Sequence, residues 1–153
     1  MKILVIGATG NLGACVVSEG VSRGHDVTAV SRHPTEADSL PSARWVAIDA
    51  SDSDVQREQP GNDERVRLML KEAAEPVFEA YGQIRTSVTP WTFLSPAGQL
   101  EDGLRTGTYR SGGEVRITGT TTTGRISFAD FAVAAVDELE VRAHVGSQFN
   151  VAY

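Results

Sequence analysis

The chain of 153 residues has little of several features that mark particular classes of protein. Its single cysteine, Cys15, excludes an internal disulfide framework, fits a reducing cytoplasm and is expected to be a small buried side chain. No apolar run approaches the ~20 residues of a membrane-spanning helix, so no membrane association is predicted. The net charge of −6, from 14 basic and 20 acidic residues, argues against a nucleic-acid-binding face. An anionic ligand would have to be held by a local group of donors.

Two common kinds of catalytic centre are also missing from the sequence. The pattern G-x-S-x-G does not occur, so a serine hydrolase of that type is not predicted. The histidines His25, His33 and His144 lack the spacing of metal ligands, so no metal site is predicted. Any chemistry must therefore depend on another motif.

The first fifty residues alternate between apolar runs and one amphipathic segment. The runs predict strands at Ile3–Ile6, Val27–Ser31 and Trp45–Ile48, and the segment predicts a helix at Asn11–Arg23 that ends at Gly24. This order is typical of a parallel sheet built by right-handed crossovers.

The rest of the chain gives weaker signals. Helical patterns lie on both sides of Pro76, "WTFLSPA" and "QFNVAY" indicate strands, and "GTYRSGGEVRITGTTTTGRIS" indicates a hairpin region. Ser127 is expected to cap a helix, with Asp130 three residues later as in a capping box. The acidic run Asp137–Glu140 is expected to be the solvated face of that helix.

Three glycines stand between the first strand and the first helix, at Gly7, Gly10 and Gly13. In a dinucleotide site, the first glycine allows a sharp turn, the second makes room for a diphosphate, and the third lets the helix pack closely. The helix N-terminus then offers unpaired N–H groups to the phosphates. We therefore predict a nucleotide cradle, with the Thr9 hydroxyl and the backbone N–H groups of Asn11 and Leu12 as further donors. A tight turn without a ligand is the alternative.

The end of the second strand bears on which nucleotide is bound. An NAD site places an acidic residue there, whereas this strand runs into Ser31, Arg32 and His33. Arg32 could pair with a 2′-phosphate and Ser31 could hydrogen-bond to it, which favours NADP over NAD. After the third strand, Asp49 or the Ala50 backbone is expected to contact the adenine ring.

Together, five segments resemble the NAD(P)H-binding, NmrA-like group of atypical short-chain dehydrogenases/reductases: "GATGNLG", "RGHDVTAVSRHP", "WTFLSPA", "RTGTYR" and "RISFADFAVAAVDELE". The resemblance covers about residues 1–55 and 85–153. It implies a Rossmann fold, a cofactor along the glycine loop and Arg32 near the adenosine 2′-phosphate. It also implies that Ser95–Ala97 lies near the nicotinamide end.

The chain departs from this family in its middle, where two further strand–helix units are normally present. We therefore expect a single domain over residues 1–153, an α/β, Rossmann-like doubly wound parallel sheet that lacks two central strand–helix units. Since one such unit needs about 30 residues, some 60 residues are missing. The polar stretch Ser51–Arg65 is the expected place, through a natural deletion, a remodelled minimal fold, or a sequence that omits a segment.

The Tyr-x-x-x-Lys pair of the larger short-chain reductase family is absent, because neither Lys2 nor Lys71 follows a tyrosine by four residues. Tyr81 is followed by Arg85 at that spacing, but a tyrosine packed on a helix is the better interpretation. Tyr109 is a candidate substrate-side residue. The catalytic residues thus stay unknown.

Three functions remain open from the sequence. The first is an NADP-dependent oxidoreductase acting on a small acceptor such as a flavin, quinone or enone. The second is a non-catalytic module that senses NADP(H), and the third is an interaction or dimerisation unit that binds no cofactor. A small-molecule substrate is the expected partner, nucleic acid and membranes are not, and homodimer formation is left open.

Overall fold

A computed structural model describes residues 1–34, 40–48, 81–113 and 124–153 of the chain. The chain divides into two compact units, residues 1–70 and 71–153, and each unit has its own architecture. Within the described ranges, no helix is long and apolar enough to cross a membrane. The expected single domain stays a prediction.

The first unit contains a parallel three-stranded sheet whose strands follow the chain order. Its strands are β1 (Lys2–Ile6), β2 (Asp26–Ser31) and β3 (Arg44–Ala47), and helix α1 (Asn11–Ser22) connects β1 to β2. The three predicted strands and the predicted helix are therefore confirmed to within one or two residues at each end. In a parallel pair joined by a helix, the carboxyl ends of the strands lie at one edge of the sheet.

Helix α1 packs on this sheet through one apolar face. Leu12, Val16 and Val17 are buried, as the spacing of apolar residues predicted, and Cys15 is half-buried rather than buried. The helix ends because Gly24 adopts a left-handed φ of 77° and donates its N–H to the Val21 carbonyl. The packing holds the N-terminus of α1 beside the carboxyl end of β1.

The second unit contains five short strands among its described residues, arranged in a three-stranded sheet and a two-stranded sheet. Its described elements, in chain order, are β4 (Phe93–Pro96), β5 (Leu100–Glu101), β6 (Arg110–Gly112), β7 (Ile126–Ser127), α2 (Phe128–Val141) and β8 (Gln148–Ala152). Strand β8 pairs in parallel with β4 and antiparallel with β6, and β5 pairs in parallel with β7. The predicted strands in "WTFLSPA" and "QFNVAY" are thus confirmed, and the structure shows that they pair with each other.

Two other predictions for the second unit fall only partly within the described residues. Of the helical pattern around Pro76, the described part is residues 81–87, and the helix there ends at residue 84. In the predicted hairpin region, β6 pairs with the distant β8, and residues 114–123 lie outside the described ranges.

Helix α2 begins as predicted and then departs from the prediction. The Ser127 side chain accepts a hydrogen bond from the Asp130 N–H at 3.0 Å, which is the expected cap. The prediction that Asp137–Glu140 is a solvated face is wrong, because Glu138 and Leu139 are buried and Asp137 is half-buried. The Asp137 and Glu138 side chains instead accept hydrogen bonds from other segments of the second unit.

Candidate cofactor site and the residues around it

The glycine loop that follows β1 is fixed to the end of β2. Gly7 has a φ of 77°, a conformation that side-chain-bearing residues rarely adopt, so the chain can leave the strand sharply. The N–H groups of Gly7 and Ala8 both donate to the Val30 carbonyl, at 3.0 and 3.1 Å, and the Gly10 N–H donates to the Gly7 carbonyl at 3.0 Å. The loop is therefore a defined turn at the carboxyl edge of the sheet.

Gly13 allows helix α1 to approach this turn closely. A Cβ atom placed on Gly13 would lie 2.1 Å from the Gly7 carbonyl oxygen, far inside van der Waals contact. At Gly10 the corresponding distance to the same oxygen is 3.4 Å, so that position is much less crowded. The two glycines thus have different roles, and only Gly13 is required by the packing of the helix.

The N-terminus of α1 carries backbone donors that the described residues leave unused. None of those residues accepts a hydrogen bond from the N–H of Asn11, Leu12 or Gly13, and the N-cap, Gly10, has no side chain to do so. The first turn also has no acidic residue. Unpaired N–H groups at the positive end of the helix dipole suit an anion such as a diphosphate, so the residues present fit the phosphates of a dinucleotide.

The structure joins two of the predicted cofactor residues by a hydrogen bond. The hydroxyl oxygens of Thr9 and Ser31 are 3.0 Å apart, and either could donate. Thr9 is exposed in the glycine loop, whereas Ser31 is buried at the end of β2. The bond places a pair of hydroxyls between the loop and the strand end.

Next along the chain, Arg32 and His33 are both exposed. The ion pairs between described residues do not include Arg32. No Asp or Glu occupies residues 31–34, so the described end of β2 lacks the carboxylate of an NAD site. Asp49 and Ala50, predicted to contact the adenine, lie outside the described residues.

A cavity of about 230 Å³ lies elsewhere in the first unit. Its lining includes Lys2, Asp26 and Arg44, the first residues of β1, β2 and β3. It therefore opens at the amino edge of the sheet, opposite the glycine loop. We do not assign it to the cofactor, because ligands of open α/β sheets bind at the carboxyl edge.

The segment predicted to lie near the nicotinamide is the end of β4. Ser95 is half-buried, and its hydroxyl lies 3.4 Å from the Phe149 carbonyl and accepts from the Gln148 side chain at 3.3 Å. Ala97 is buried, and its N–H donates to the Val151 carbonyl at 3.0 Å. These bonds fix the segment to β8, while its role toward a cofactor stays a prediction.

Two tyrosines considered at the sequence level have structural partners. The Arg85 guanidinium carbon lies 5.5 Å from the centre of the Tyr81 ring, and the Tyr81 ring packs against Trp91 and Phe93. Arg85 therefore sits over the face of the ring, which favours the helix-packing interpretation of Tyr81. The Tyr109 hydroxyl donates to Asp137 at 2.5 Å, so its proton is engaged by a carboxylate.

Sequence reasoning missed a buried hydrogen-bonding centre at Asp130. Its carboxylate accepts from the N–H groups of Thr106 and Gly107 at 2.9 and 2.7 Å, from the Thr106 hydroxyl at 2.6 Å and from the Tyr153 hydroxyl at 2.7 Å. Asp130 has no exposed surface. Burial by itself would raise the pKa of the Asp130 carboxyl, but these hydrogen bonds favour the charged form and hold the pKa below its ordinary value.

This arrangement predicts a loss of stability in acid. Because the pKa is lowered in the folded protein, the unfolded chain takes up the proton first as the pH falls below about 4. The stabilisation by Asp130 is fully present at neutral pH and is lost as the pH falls through the folded-state pKa. Asp130→Asn should lower the free energy of unfolding by about 2 kcal/mol at pH 7, and this difference should shrink toward zero as the pH falls through the folded-state pKa.

Urea denaturation of both proteins across this pH range measures the effect. Glu140→Gln is the control, because Glu140 is an exposed carboxylate on the same helix. A difference between wild type and Asp130→Asn that stays constant with pH would contradict the assignment of the charge.

A second missed centre lies at the other end of α2, around Glu138. Its carboxylate accepts from the His144 N–H at 2.9 Å and the Thr92 hydroxyl at 3.1 Å, and it lies 2.8 Å from His144 Nδ1. The His144 ring stacks on Phe149 with ring centres 4.0 Å apart. The centre joins the end of α2 to the amino ends of β4 and β8. The sequence did contain a signal for the burial of these carboxylates. Asp130, Ala134 and Glu138 are spaced four residues apart, so they lie on the same, buried face of the helix.

Comparison with known proteins places these features in context. Residues 7–58 match the model of a family described as NAD(P)H-binding. The structural alignment with a Burkholderia pseudomallei protein described as exported covers 100% of both chains, with 25% identity and a TM-score of 0.75. The alignment with a Streptococcus pneumoniae protein described as an NADH-flavin reductase covers 99% of both chains, with 24% identity and a TM-score of 0.72.

The fold is a Rossmann-like α/β fold. The expectation of that fold is confirmed, and the matched family supports a nicotinamide cofactor without distinguishing NADP from NAD. The finer assignment to the NmrA-like group stays a hypothesis.

The chain is shorter than its relatives. The uncharacterized protein YwnB of Bacillus subtilis (strain 168) is 27% identical over an alignment of 208 positions, which covers 99% of this chain and 98% of that protein. Since this chain has 153 residues, some 55 positions of the alignment have no counterpart in it. The shortening predicted from the missing strand–helix units is thus confirmed.

Proposed function

We propose that the protein is an NADPH-dependent oxidoreductase that reduces a small planar acceptor, a flavin or a quinone. The observation that carries the proposal is the glycine loop at the carboxyl edge of the sheet. Its helix N-terminus offers the N–H groups of Asn11, Leu12 and Gly13, for which no described residue is an acceptor. The family match over residues 7–58 supports the same cofactor class. The cytoplasmic location and the atypical short-chain reductase family belong to this proposal too.

The preference for NADPH depends on the residues that follow β2. Arg32 is an exposed guanidinium, and no carboxylate stands at residues 31–34 to accept from ribose hydroxyls. A guanidinium can bind a phosphate through two parallel hydrogen bonds. The Thr9 and Ser31 hydroxyls, 3.0 Å apart, provide further donors beside it.

The acceptor class follows from the absence of a Tyr-x-x-x-Lys pair in the sequence. A bound nicotinamide supplies a hydride, and a flavin or quinone takes it up together with a proton from water. The Tyr-x-x-x-Lys pair is missing, and the hydroxyls of Tyr109 and Tyr153 are engaged by Asp137 and Asp130. We therefore favour acceptors whose reduction needs no proton from a tyrosine. An enone is less favoured for the same reason.

The test is a titration of the purified protein with NADPH and with NADH, followed by nicotinamide fluorescence, and then NADPH oxidation with flavins and quinones. We expect NADPH to bind at least ~10-fold more tightly than NADH, since charge-assisted hydrogen bonds to the 2′-phosphate distinguish the two. We also expect turnover with at least one acceptor. Binding of neither cofactor to a folded sample would overturn the proposal.

A second function is favoured by the same absence of a Tyr-x-x-x-Lys pair from the sequence. A module that binds NADP(H) and signals its level would need the glycine loop and Arg32, but no proton donor. Tight NADPH binding without turnover by any acceptor would favour this sensing role, and turnover at ordinary enzymatic rates would exclude it. Tight NADPH binding, with or without turnover, would exclude the third function, a unit that binds no cofactor.

A further inference from the structure

The cavity at the amino edge of the first unit's sheet is lined mainly by the sheet face that points away from helix α1. A Cβ atom on Gly20 of that helix would lie 3.0 Å from the Val27 side chain and 3.5 Å from the Ile3 side chain, so both residues face α1. Successive residues of a strand point to opposite faces. The lining residues on the face away from α1 are Lys2, Leu4, Asp26, Thr28 and, through its pairing with Thr28, Arg44.

Three of these side chains are charged, and they stand on three different strands. Asp26 on the middle strand β2 is level with Lys2 on β1, and Arg44 on β3 is level with Thr28, two residues farther along β2. Neighbouring strands are about 4.8 Å apart, so the strands that carry the two cations are about 10 Å from each other. The cavity thus has a carboxylate on the strand between two cations.

These three charges do not satisfy one another. Within the described part of the first unit, the side chains of Lys2, Asp26 and Arg44 form no ion pair or hydrogen bond, and all three residues are exposed. Opposite charges that lie level on neighbouring strands attract each other, yet the Lys2 ammonium and the Asp26 carboxylate stay apart. Each charge is therefore available to a ligand.

The space between the charges is small and partly apolar. Leu4 is half-buried among the charged residues, and Thr28, also half-buried, contributes a hydroxyl. The volume of about 230 Å³ is smaller than the pockets of about 300–1,000 Å³ that hold drug-sized ligands. The cavity therefore suits a small metabolite with a short hydrocarbon chain and is too small for a whole dinucleotide.

We propose that this cavity binds an acidic α-amino acid such as glutamate. At neutral pH glutamate carries two carboxylates and one ammonium, which match the two cations and one carboxylate of the cavity in number and in sign. Lys2 and Arg44, whose long side chains reach inward, each bind one carboxylate, and Asp26 binds the ammonium. The methylene groups of the ligand lie on Leu4.

This inference goes beyond the proposed function and does not depend on it. The backbone donors proposed for the cofactor lie at the carboxyl edge of the same sheet, whereas the cavity lies at the amino edge. Binding of an amino acid and binding of NADPH can therefore be measured separately on the same protein.

Isothermal titration calorimetry of the purified chain with three ligands tests the match of charges. Glutarate lacks the ammonium of glutamate, and 4-aminobutyrate lacks its α-carboxylate. We expect saturable binding of glutamate with a Kd at least about fivefold lower than that of either analogue, because each analogue loses one charge-assisted contact.

Three variants each remove one of the proposed partners. Lys2→Gln, Arg44→Gln and Asp26→Asn should each raise the Kd for glutamate about tenfold. Asp26→Asn should also abolish the preference for glutamate over glutarate, whereas Lys2→Gln and Arg44→Gln should retain it. All three variants should melt within about 2 °C of the wild type, because they change exposed side chains that no described residue binds.

Two variants outside the cavity control for the loss of one charge. Arg125→Gln removes an exposed guanidinium of the second unit, and Glu140→Gln removes an exposed carboxylate of helix α2. Neither should change the Kd for glutamate or the preference for glutamate over glutarate.

Several results would overturn the inference. One is the absence of saturable heat with glutamate up to about 10 mM for a folded wild-type sample. Equal affinities for the three ligands, or equal weakening by Arg44→Gln and Arg125→Gln, would also do so, since both indicate attraction by net charge alone. An unchanged preference for glutamate over glutarate in Asp26→Asn would remove the role of Asp26 and with it the proposed ligand class. The proposed function is tested by NADPH titration and stands or falls independently of these results.

Discussion

Gly13→Ala is expected to lower the free energy of unfolding by about 3 kcal/mol and to abolish cofactor binding. The added Cβ would lie 2.1 Å from the Gly7 carbonyl oxygen, 2.9 Å from the Gly7 carbonyl carbon and 3.0 Å from the Ala8 Cα, all of them backbone atoms. Backbone cannot move aside as a flexible side chain can. Relief would require helix α1 to shift away from the turn, which would also displace the donors at its N-terminus.

Gly10→Ala is the control for this prediction. Its Cβ would lie 3.4 Å from the Gly7 carbonyl oxygen, close to ordinary van der Waals contact, so folding should be nearly unaffected. Thermal unfolding should show Gly13→Ala melting roughly 10 °C below the wild type, with Gly10→Ala within a few degrees of it. Equal melting temperatures for the two variants would mean that the turn and helix do not approach as closely as described.

Arg32→Ala is expected to weaken NADPH binding about 30-fold and to leave NADH binding unchanged. The loss corresponds to about 2 kcal/mol, the contribution of hydrogen bonds between a guanidinium and a phosphate at an exposed site. NADH has no 2′-phosphate, so the variant should bind both cofactors with similar affinity. Fluorescence titration of the wild type and the variant with each cofactor measures both effects.

Arg44→Ala controls for the general loss of a positive charge. Arg44 is also exposed, but it begins β3 at the opposite edge of the same sheet. If Arg32→Ala and Arg44→Ala weaken NADPH binding equally, the effect is one of net charge and Arg32 has no direct role. If Arg32→Ala weakens NADH binding as much as NADPH binding, Arg32 contacts a part that both cofactors share.

The sequence predicted those elements whose signal is local. The apolar run before Gly7 and the cap at Ser127 each depend on neighbouring residues, and both elements were located within a residue or two. The paired strands β5 and β7 have two residues each and are defined only by pairing across the 24 intervening residues, so no local pattern could indicate them. The burial of Glu138 depends on Thr92 and His144 in the same way.

In the candidate site, too, the features that depend on neighbouring residues were predicted and those that depend on distant residues were not. The glycine spacing predicted the turn and its donors, because the left-handed φ of Gly7 and the close approach of Gly13 to Gly7 both arise within seven consecutive residues. The bond between Thr9 and Ser31 joins residues 22 apart, so only the folded chain shows it. The role of Asp130 was missed because its partners Thr106, Gly107 and Tyr153 are remote in sequence.

The two hydrogen bonds from the glycine loop to the Val30 carbonyl have a consequence for binding kinetics. Because Gly7 and Ala8 share that acceptor on β2, the loop can open only if its attachment to the strand breaks. The loop is then a rigid receptor rather than a lid, and an incoming dinucleotide need not wait for it to rearrange. Differences in affinity between cofactors should therefore arise almost entirely from how fast each one leaves.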